Sequence, residues 1–574
     1  MKIRFTQETI KTLFEKSYFI IPAYQRSYSW DEEQCEAFFY DLEEQVKSNN
    51  SYFFGNIVVE QKNNEDIKEI IDGQQRLTTI LIFIRTIYEY IKDKDNLPIQ
   101  NVTELFFEDK KRVKFHPMNM DYKYFYETII KGKNINQKLK TISQKRLLNS
   151  RKYFIKKMKN KNMEEIIEMF NKIIFSNITL TTLMQKVESA FMFELQNNRG
   201  KRLTNMERLK AYLMYQVYLN SKNESEANNK VENLSIFYEN IYTALNDITI
   251  LDEDDILWYH CQSIHGYGVC EKNDTVETIK EYYLDNTHTK EKKVLWIYDF
   301  LFDLNESFNK IKSLMLITDK YIDRMHSLGM HSFIFPFIIR GYKTIKDKSN
   351  IILFHHLLEM LAFRKSIIKS KSKITDHLNE TLLNFDGNVY KLYLEIKQKL
   401  NEKWHWGDDN LSEQLNSGLL YRYASEKGLI YLLKIYELEL NPQNKKVLKM
   451  KKLSIEHIAP QTPPKNIRET GYELLSTNKD YKEKFKNNYL DCLGNLALIT
   501  NSLNSKVSNK ILSEKLKMYK DYYKNTNNFC QLNEINRFLV NNNLKWSYNE
   551  VQQRHDELIE FVLNEWSFKK NEKL

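Results

Sequence analysis

At Asp72-Gly73 the period of the sequence changes. The apolar and β-branched run Ser51–Glu60 reads as a strand, and after the polar turn Gln61–Asp66 the short run Lys68–Ile71 reads as a second. Beyond the glycine, Leu77, Ile80, Leu81, Ile84, Ile87, Tyr88 and Ile91 recur at helical spacing, which predicts a helix from about Gln74 with one apolar face. A strand that turns on glycine straight into an amphipathic helix makes residues 1–220 a mixed α/β region. It also leaves the first N–H groups of that helix open at the turn.

The rest of the chain reads as helical. Only 14 glycines and 8 prolines occur in 574 residues, too few for an all-β protein built on tight turns. Residues 143–220 are expected to be mostly helical and 221–440 almost entirely so, as in Val294–Lys312 and Ile351–Ile368. Asn441–Lys446 carries a proline and two asparagines and reads as a linker. Short strands are expected at Ser454–Ile458 and Leu496–Thr500, then a helix over about Asn509–Tyr523. The fold class expected is α+β and mostly helical, in three segments: 1–220, 221–440 and 441–574. Five scattered cysteines without a CxxC pair fit a reducing cytoplasm without disulfides. No apolar run approaches the roughly 20 residues that span a bilayer, and no signal peptide is read at the N-terminus, so a soluble, cytoplasmic protein is expected. The net charge of +10 suits a polyanionic partner. It equally follows from lysine abundance along the whole chain, so charge alone decides little.

The last segment carries chemistry. Glu456-His457-Ile458-Ala459-Pro460-Gln461 is followed by Leu493-Gly494-Asn495-Leu496 and Asn504-Ser505-Lys506. An imidazole can take a proton from water, a carboxylate and an amide oxygen can hold a hard divalent cation, and a second amide can orient the ring. His457, Asn495 and Asn504 are therefore the candidate catalytic residues, with Glu456 and Asn504 as metal ligands. Lys506 and Asn509 are candidate DNA phosphate contacts. Lys445, Lys446, Lys449, Lys451 and Lys452 lead into this segment, either tracking a phosphate backbone or forming a solvated face.

A second constellation lies near the N-terminus. In Asp72-Gly73-Gln74-Gln75-Arg76, glycine admits close approach, the helix dipole favours an anion, and arginine can grip phosphate in two places. Two further segments, Ile21-Pro22-Ala23-Tyr24-Gln25-Arg26-Ser27-Tyr28-Ser29-Trp30 and Phe193–Thr204, concentrate hydrogen-bonding and aromatic groups before helices. There the aromatic residues are equally ordinary core, and Arg26 is equally a buried partner of Asp41 or Glu44. No GxxxxGK[ST] loop occurs, which argues against a P-loop ATPase.

These three segments together resemble the N-terminal domain of GmrSD-type, modification-dependent restriction proteins, and residues 441–574 resemble the HNH-like partner domain of that family. The resemblance implies a ParB/sulfiredoxin-like α/β N-terminal domain, a helical connecting region and a ββα-metal (HNH-like) C-terminal domain. It implies nucleoside-triphosphate binding and hydrolysis at Asp72, Gly73, Gln74, Gln75 and Arg76. Tyr24, Gln25 and Arg26 would line the same cleft, and Asn197 and Arg199 would close it. In the C-terminal domain it implies His457 as general base, Mg²⁺ or Mn²⁺ on Glu456 and Asn504, and Asn495 orienting the histidine. Glu456 stands where many HNH sites carry aspartate, and residues 462–490 form a long insertion.

The function expected is a nucleotide-regulated, metal-dependent DNA endonuclease of anti-phage defence, acting on foreign and possibly modified DNA. One such site cuts one strand, so a double-strand break needs two copies, as in a homo-oligomer, or repeated nicking. The alternatives are a nucleotide-dependent DNA-binding regulator with a silent nuclease domain, and an RNA-targeting toxin. His260-Cys261 with His265 and Cys270 has no known finger spacing and reads as structural, as do His355-His356 and Trp404-His405-Trp406.

Overall fold

The computed structural model describes residues 3–47, 53–61, 66–92, 101–133, 138–183, 203–286, 289–347, 349–402, 405–462, 464, 470–472, 479–526, 529–539 and 544–569. They form two compact units, one of residues 1–261 with 270–315 and one of residues 262–269 with 316–574. The helical segment 221–440 is thus divided between them. The chain is α+β and mostly helical, with its large sheet in the first unit. No helix among the described residues is long and apolar enough to cross a membrane.

The sheet of the first unit has six strands: β1 (Ile3–Thr9), β2 (Tyr18–Ile20), β3 (Phe53–Glu60), β4 (Ile67–Asp72), β5 (Phe115–His116) and β6 (Asn177–Leu183). Their order is β1-β6-β3-β4-β2-β5. β3 and β4 are antiparallel, β6 runs parallel to β3, and β2 runs parallel to both β4 and β5. The second strand and the helix start are where the period change puts them. β4 ends at Asp72, Gly73 takes φ +96° at the helix N-cap, and α1 (Gln74–Ile91) begins at once.

The sequence marks one apolar face on α1, but the helix buries nearly all round, Ile82, Phe83 and Thr86 included. The reason is its place: α2 (Ile142–Met158) and α3 (Met163–Ile174) both pack on it. Phe83 meets Phe154 edge-on at 5.1 Å and Phe38 at 5.3 Å. β6 is a departure from the helical reading of 143–220. Its alternating Ile178, Leu180 and threonines suit the pleat, and it pairs with both β1 and β3.

In the second unit, helices Ile334–Thr344 and Ser349–Ile367 are followed by α4 (Glu426–Leu440). A two-stranded antiparallel sheet joins β7 (Leu453–His457) to β8 (Leu496–Thr500), with Leu496 opposite His457 and Ala497 opposite Glu456. The helix expected over about 509–523 is α6 (Leu512–Thr526), and a further short helix, α5 (Asn501–Val507), precedes it, the two separated at Ser508, where φ is +46°. α7 (Tyr548–Trp566) ends the described fold. Its buried Arg554 donates to the carbonyls of Gly494 and Leu496, 2.8 and 2.7 Å away, and so fixes the approach to β8.

Candidate active site

Consecutive strand residues face opposite sides, and on β7 that parity separates two groups that adjoin in sequence. His457 turns to Asp491, whose Oδ1 lies 3.1 Å from the imidazole Nε2. Asp491 is wholly buried, and its Oδ2 accepts from Arg422 Nε at 2.5 Å. The Gln461 amide nitrogen lies 3.3 Å from both the imidazole and the carboxylate. The Tyr421 ring meets the imidazole edge-on at 4.6 Å, and its N–H donates to the Asp491 carbonyl at 3.0 Å. Burial alone would raise the Asp491 pKa. The hydrogen bonds of His457, Arg422 and Gln461 outweigh it and hold the carboxyl below its ordinary range. A carboxylate only accepts, so Nε2–H is the donor of this pair, and His457 retains 8% of its surface exposed.

Glu456 turns the other way. Its Oε1 accepts from Lys515 Nζ at 2.5 Å and from the Tyr519 hydroxyl at 2.7 Å. Both partners are on α6 and fully buried. Lys515 also donates to the carbonyls of His457 (2.9 Å) and Ile458 (3.2 Å), so the ammonium holds the main chain of the histidine as well as the acid. Burial pulls the Lys515 pKa below its ordinary range even with Glu456 against it.

Asn504, on α5, donates to Ser454 Oγ at 3.0 Å. It borders an open depression of about 460 Å³ with Glu426 and Asn501. Ser454 is three residues from His457, roughly 10 Å along a strand. His457 and Asn504 therefore lie apart, while Ser454 and Glu456, two residues apart, share a face of the strand. Of the two expected metal ligands beside the histidine, Glu456 has its carboxylate engaged by Lys515 and Asn504 is bonded to Ser454. Among the described residues, no group of three or more His, Cys, Asp or Glu side chains is arranged to hold a metal, and the four residues His260, Cys261, His265 and Cys270 make no exception. His260 instead meets Ser307 Oγ at 2.8 Å.

Asn495 also differs from its expected role. Its Oδ1 accepts from the Ala459 N–H (2.8 Å) and from Trp546 Nε1 (3.1 Å). Its Nδ2 donates to the carbonyls of Ala459 (3.1 Å) and Leu490 (2.8 Å). Three of these four bonds clamp backbone just after His457 and just before Asp491, the fourth ties the Trp546 side chain, and none is to the imidazole. Lys506 is exposed and Asn509 half-buried. Asp491 is the residue that sequence reasoning missed. Its signal was an acid two positions before Leu493-Gly494-Asn495.

In the first unit the two motifs are cross-braced. The Gln25 amide donates to the Ile71 carbonyl at 2.5 Å. Gln75 accepts from the Ser29 N–H at 2.8 Å and donates to the Ser27 carbonyl at 3.0 Å. Gln25 thus ties the loop to the end of β4 and Gln75 to the start of α1, and Tyr24 is buried. Arg26 lies 3.8 Å from Glu207, on α8 (Asn205–Asn220), rather than against Asp41 or Glu44. Gln74 is buried, and its Oε1 has no hydrogen-bond partner among the described residues. The cavity it shares with Arg26, Gln75 and Asp121 measures about 10 Å³, room for a water but not a nucleotide. Only Asp72 and Arg76 of this group face outward. They are 3.4 Å apart, and Arg76 also donates to the Phe54 carbonyl at 3.4 Å. Asn197 and Arg199 lie outside the described residues.

Behind the loop sits a buried ionisable cluster that the sequence did not single out. Lys210 donates to the Gln25 carbonyl at 2.8 Å, and burial pulls its pKa to about 7. Burial pushes Asp121 up to about 6 despite hydrogen bonds from Ser143 and Thr141. Burial, then repulsion from Glu207, pushes Glu253 up to about 8. A larger cavity of about 390 Å³ is lined by Pro22, Glu69, His116, Tyr218 and Glu239, an acidic wall that does not suit a triphosphate.

Compared with known families, residues 10–214 match the GmrSD restriction endonuclease, N-terminal domain, and residues 405–561 match the GmrSD restriction endonucleases, C-terminal domain. No curated protein matches the chain.

Proposed function

Since the chain belongs to the GmrSD restriction endonuclease family, we propose that it hydrolyses DNA phosphodiesters with His457 as general base, under control of a nucleoside triphosphate bound by its first unit. The observation that carries this reading is the imidazole held at Nε2 by buried Asp491, itself tied to Arg422. Nδ1 accepts a proton from water as the water oxygen bonds phosphorus. The positive charge that forms on the ring is stabilised by the Asp491 carboxylate. The bond to the leaving oxygen breaks, and that oxygen takes a proton from solvent. Lys515 and Asn495 hold the main chain at and just after the histidine, so the ring needs no reorganisation during attack. In this reading β7, β8 and α5 make an HNH-like ββα unit.

A divalent cation, when bound, would neutralise charge on the phosphoryl oxygens. Glu456 does not fit its ligand set while Lys515 occupies the carboxylate. The nucleotide would lie at the start of α1, with Arg76 exchanging Asp72 for phosphate, in a ParB/sulfiredoxin-like domain. Arg76→Ala should then weaken triphosphate binding in calorimetry.

The test is nicking of supercoiled plasmid. Wild type should nick in the presence of Mg²⁺ or Mn²⁺, and His457→Ala should lose nicking while still binding DNA. Unchanged nicking by the variant rejects the assignment. The capture of Glu456 by Lys515 favours a second reading, a nucleotide-dependent DNA-binding regulator with an inactive HNH-like domain. No cleavage of any DNA at any metal concentration or nucleotide state would select it.

A further inference from the structure

We propose that the cavity of about 1050 Å³ bounded by helix Lys320–Leu328, by α4 and by the segment 442–451 seats the sugar–phosphate backbone of the DNA duplex that reaches His457. The inference rests on the nuclease reading above and adds the surface that holds its substrate.

Lys445, Lys446, Lys449 and Lys451 line this cavity and are exposed, and none has a carboxylate partner among the described residues. Of the other cations of the cavity, Lys320 stands 4.0 Å from Glu565, and Arg324 and Lys434 are spent within the fold. Arg324 pairs with Glu565. Buried Lys434 donates to Ser327 Oγ (3.0 Å) and to the carbonyls of Leu448 (3.0 Å) and Met450 (3.2 Å). Those bonds make the lysine segment a fixed rail rather than a loose tail. Its far end is tied as well, since the Asn501 N–H donates to the Lys452 carbonyl at 3.0 Å. Asp319, Asp323 and Glu439 also line the cavity, and the cation excess is on the 445–451 side.

The rail runs directly into β7. From Lys452 to His457 is roughly 17 Å of strand, about five nucleotide steps at ~3.4 Å each. A duplex lying along β7 with one phosphodiester at His457 would have phosphates of one or the other strand within reach of the rail.

The experiment is fluorescence anisotropy of the full chain with a 30-base-pair duplex, without divalent metal, over a salt series. The variants are Lys445→Glu/Lys446→Glu/Lys449→Glu and the milder triple glutamine. Loss of three phosphate contacts should lower the log–log salt slope by about 2.7 and weaken binding on the order of 10²-fold at 0.1 M salt. The glutamine variant should show the slope loss with a smaller drop in affinity, at an unchanged melting temperature. Wild-type binding with unchanged slope and affinity in both variants overturns the rail and leaves the nuclease reading intact. Absence of duplex binding by wild type and by His457→Ala overturns the nuclease reading itself. If only RNA binding responds to the variants, the DNA assignment is overturned.

Discussion

Replacing Lys515 by methionine separates a structural Glu456 from a metal-binding one. The pair is buried on both sides, with side chains 4% and 0% exposed. Lys515→Met leaves the carboxylate with only the Tyr519 hydroxyl and strips a donor from the carbonyls of His457 and Ile458. Orphaning one member of such a pair costs about 3–5 kcal/mol. At ~2 °C per kcal/mol for a unit of this size, the melting transition of the second unit should fall by about 6–10 °C. Glu456→Gln should cost less, about 2–3 kcal/mol, because the amide oxygen still accepts while the ammonium keeps its two carbonyls. The double variant should be more stable than the sum of the two losses, with a coupling of about 2 kcal/mol in a double-mutant cycle. The assay is calorimetric melting of all four proteins, with Mn²⁺ titrated into wild type and Glu456→Gln. Shifts below about 1 kcal/mol that simply add, together with weakened Mn²⁺ binding by Glu456→Gln, would refute the ion pair and return the carboxylate to a cation.

Two other outcomes follow from the geometry. An alanine Cβ at Gly494 would lie 2.1 Å from the Val551 carbonyl oxygen and 2.8 Å from His555 Cβ, so α7 must retreat. Gly494→Ala should cost about 1–3 kcal/mol and reduce plasmid nicking through the displaced Asn495 clamp, as melting and nicking assays would register. Asp121 has its folded pKa raised to about 6 from an ordinary 3.8, so the folded state holds its proton more tightly and the associated stability is lost as pH rises through that interval. Asp121→Asn should remove up to about 3 kcal/mol of that pH dependence, seen as a melting temperature that gains on wild type between pH 4 and pH 7.

What the sequence made legible follows from how far apart the cooperating residues lie along the chain. The turn at Gly73 was readable because strand, glycine and helix are contiguous, and β8 because Leu496–Thr500 is one apolar run. The pairing of Arg26 with Glu207 was not, since it joins side chains that only the folded first unit brings near. The site shows both cases in one dipeptide. Placing Glu456 and His457 on a strand already implies, through its two-residue period, that they face apart. A single-metal arrangement using both asks the strand to end between them. That half of the arrangement lay in the sequence and needed only the alternation to be carried through. The other half did not. Lys515 and Asp491 stand 59 and 34 positions from their partners, and nothing local distinguishes Lys515 from the other lysines of α6. A buried acid next to a histidine can be a ligand or half of an ion pair. Which it is depends on whether the helix packed over the hairpin brings a cation, and that is decided by tertiary packing alone.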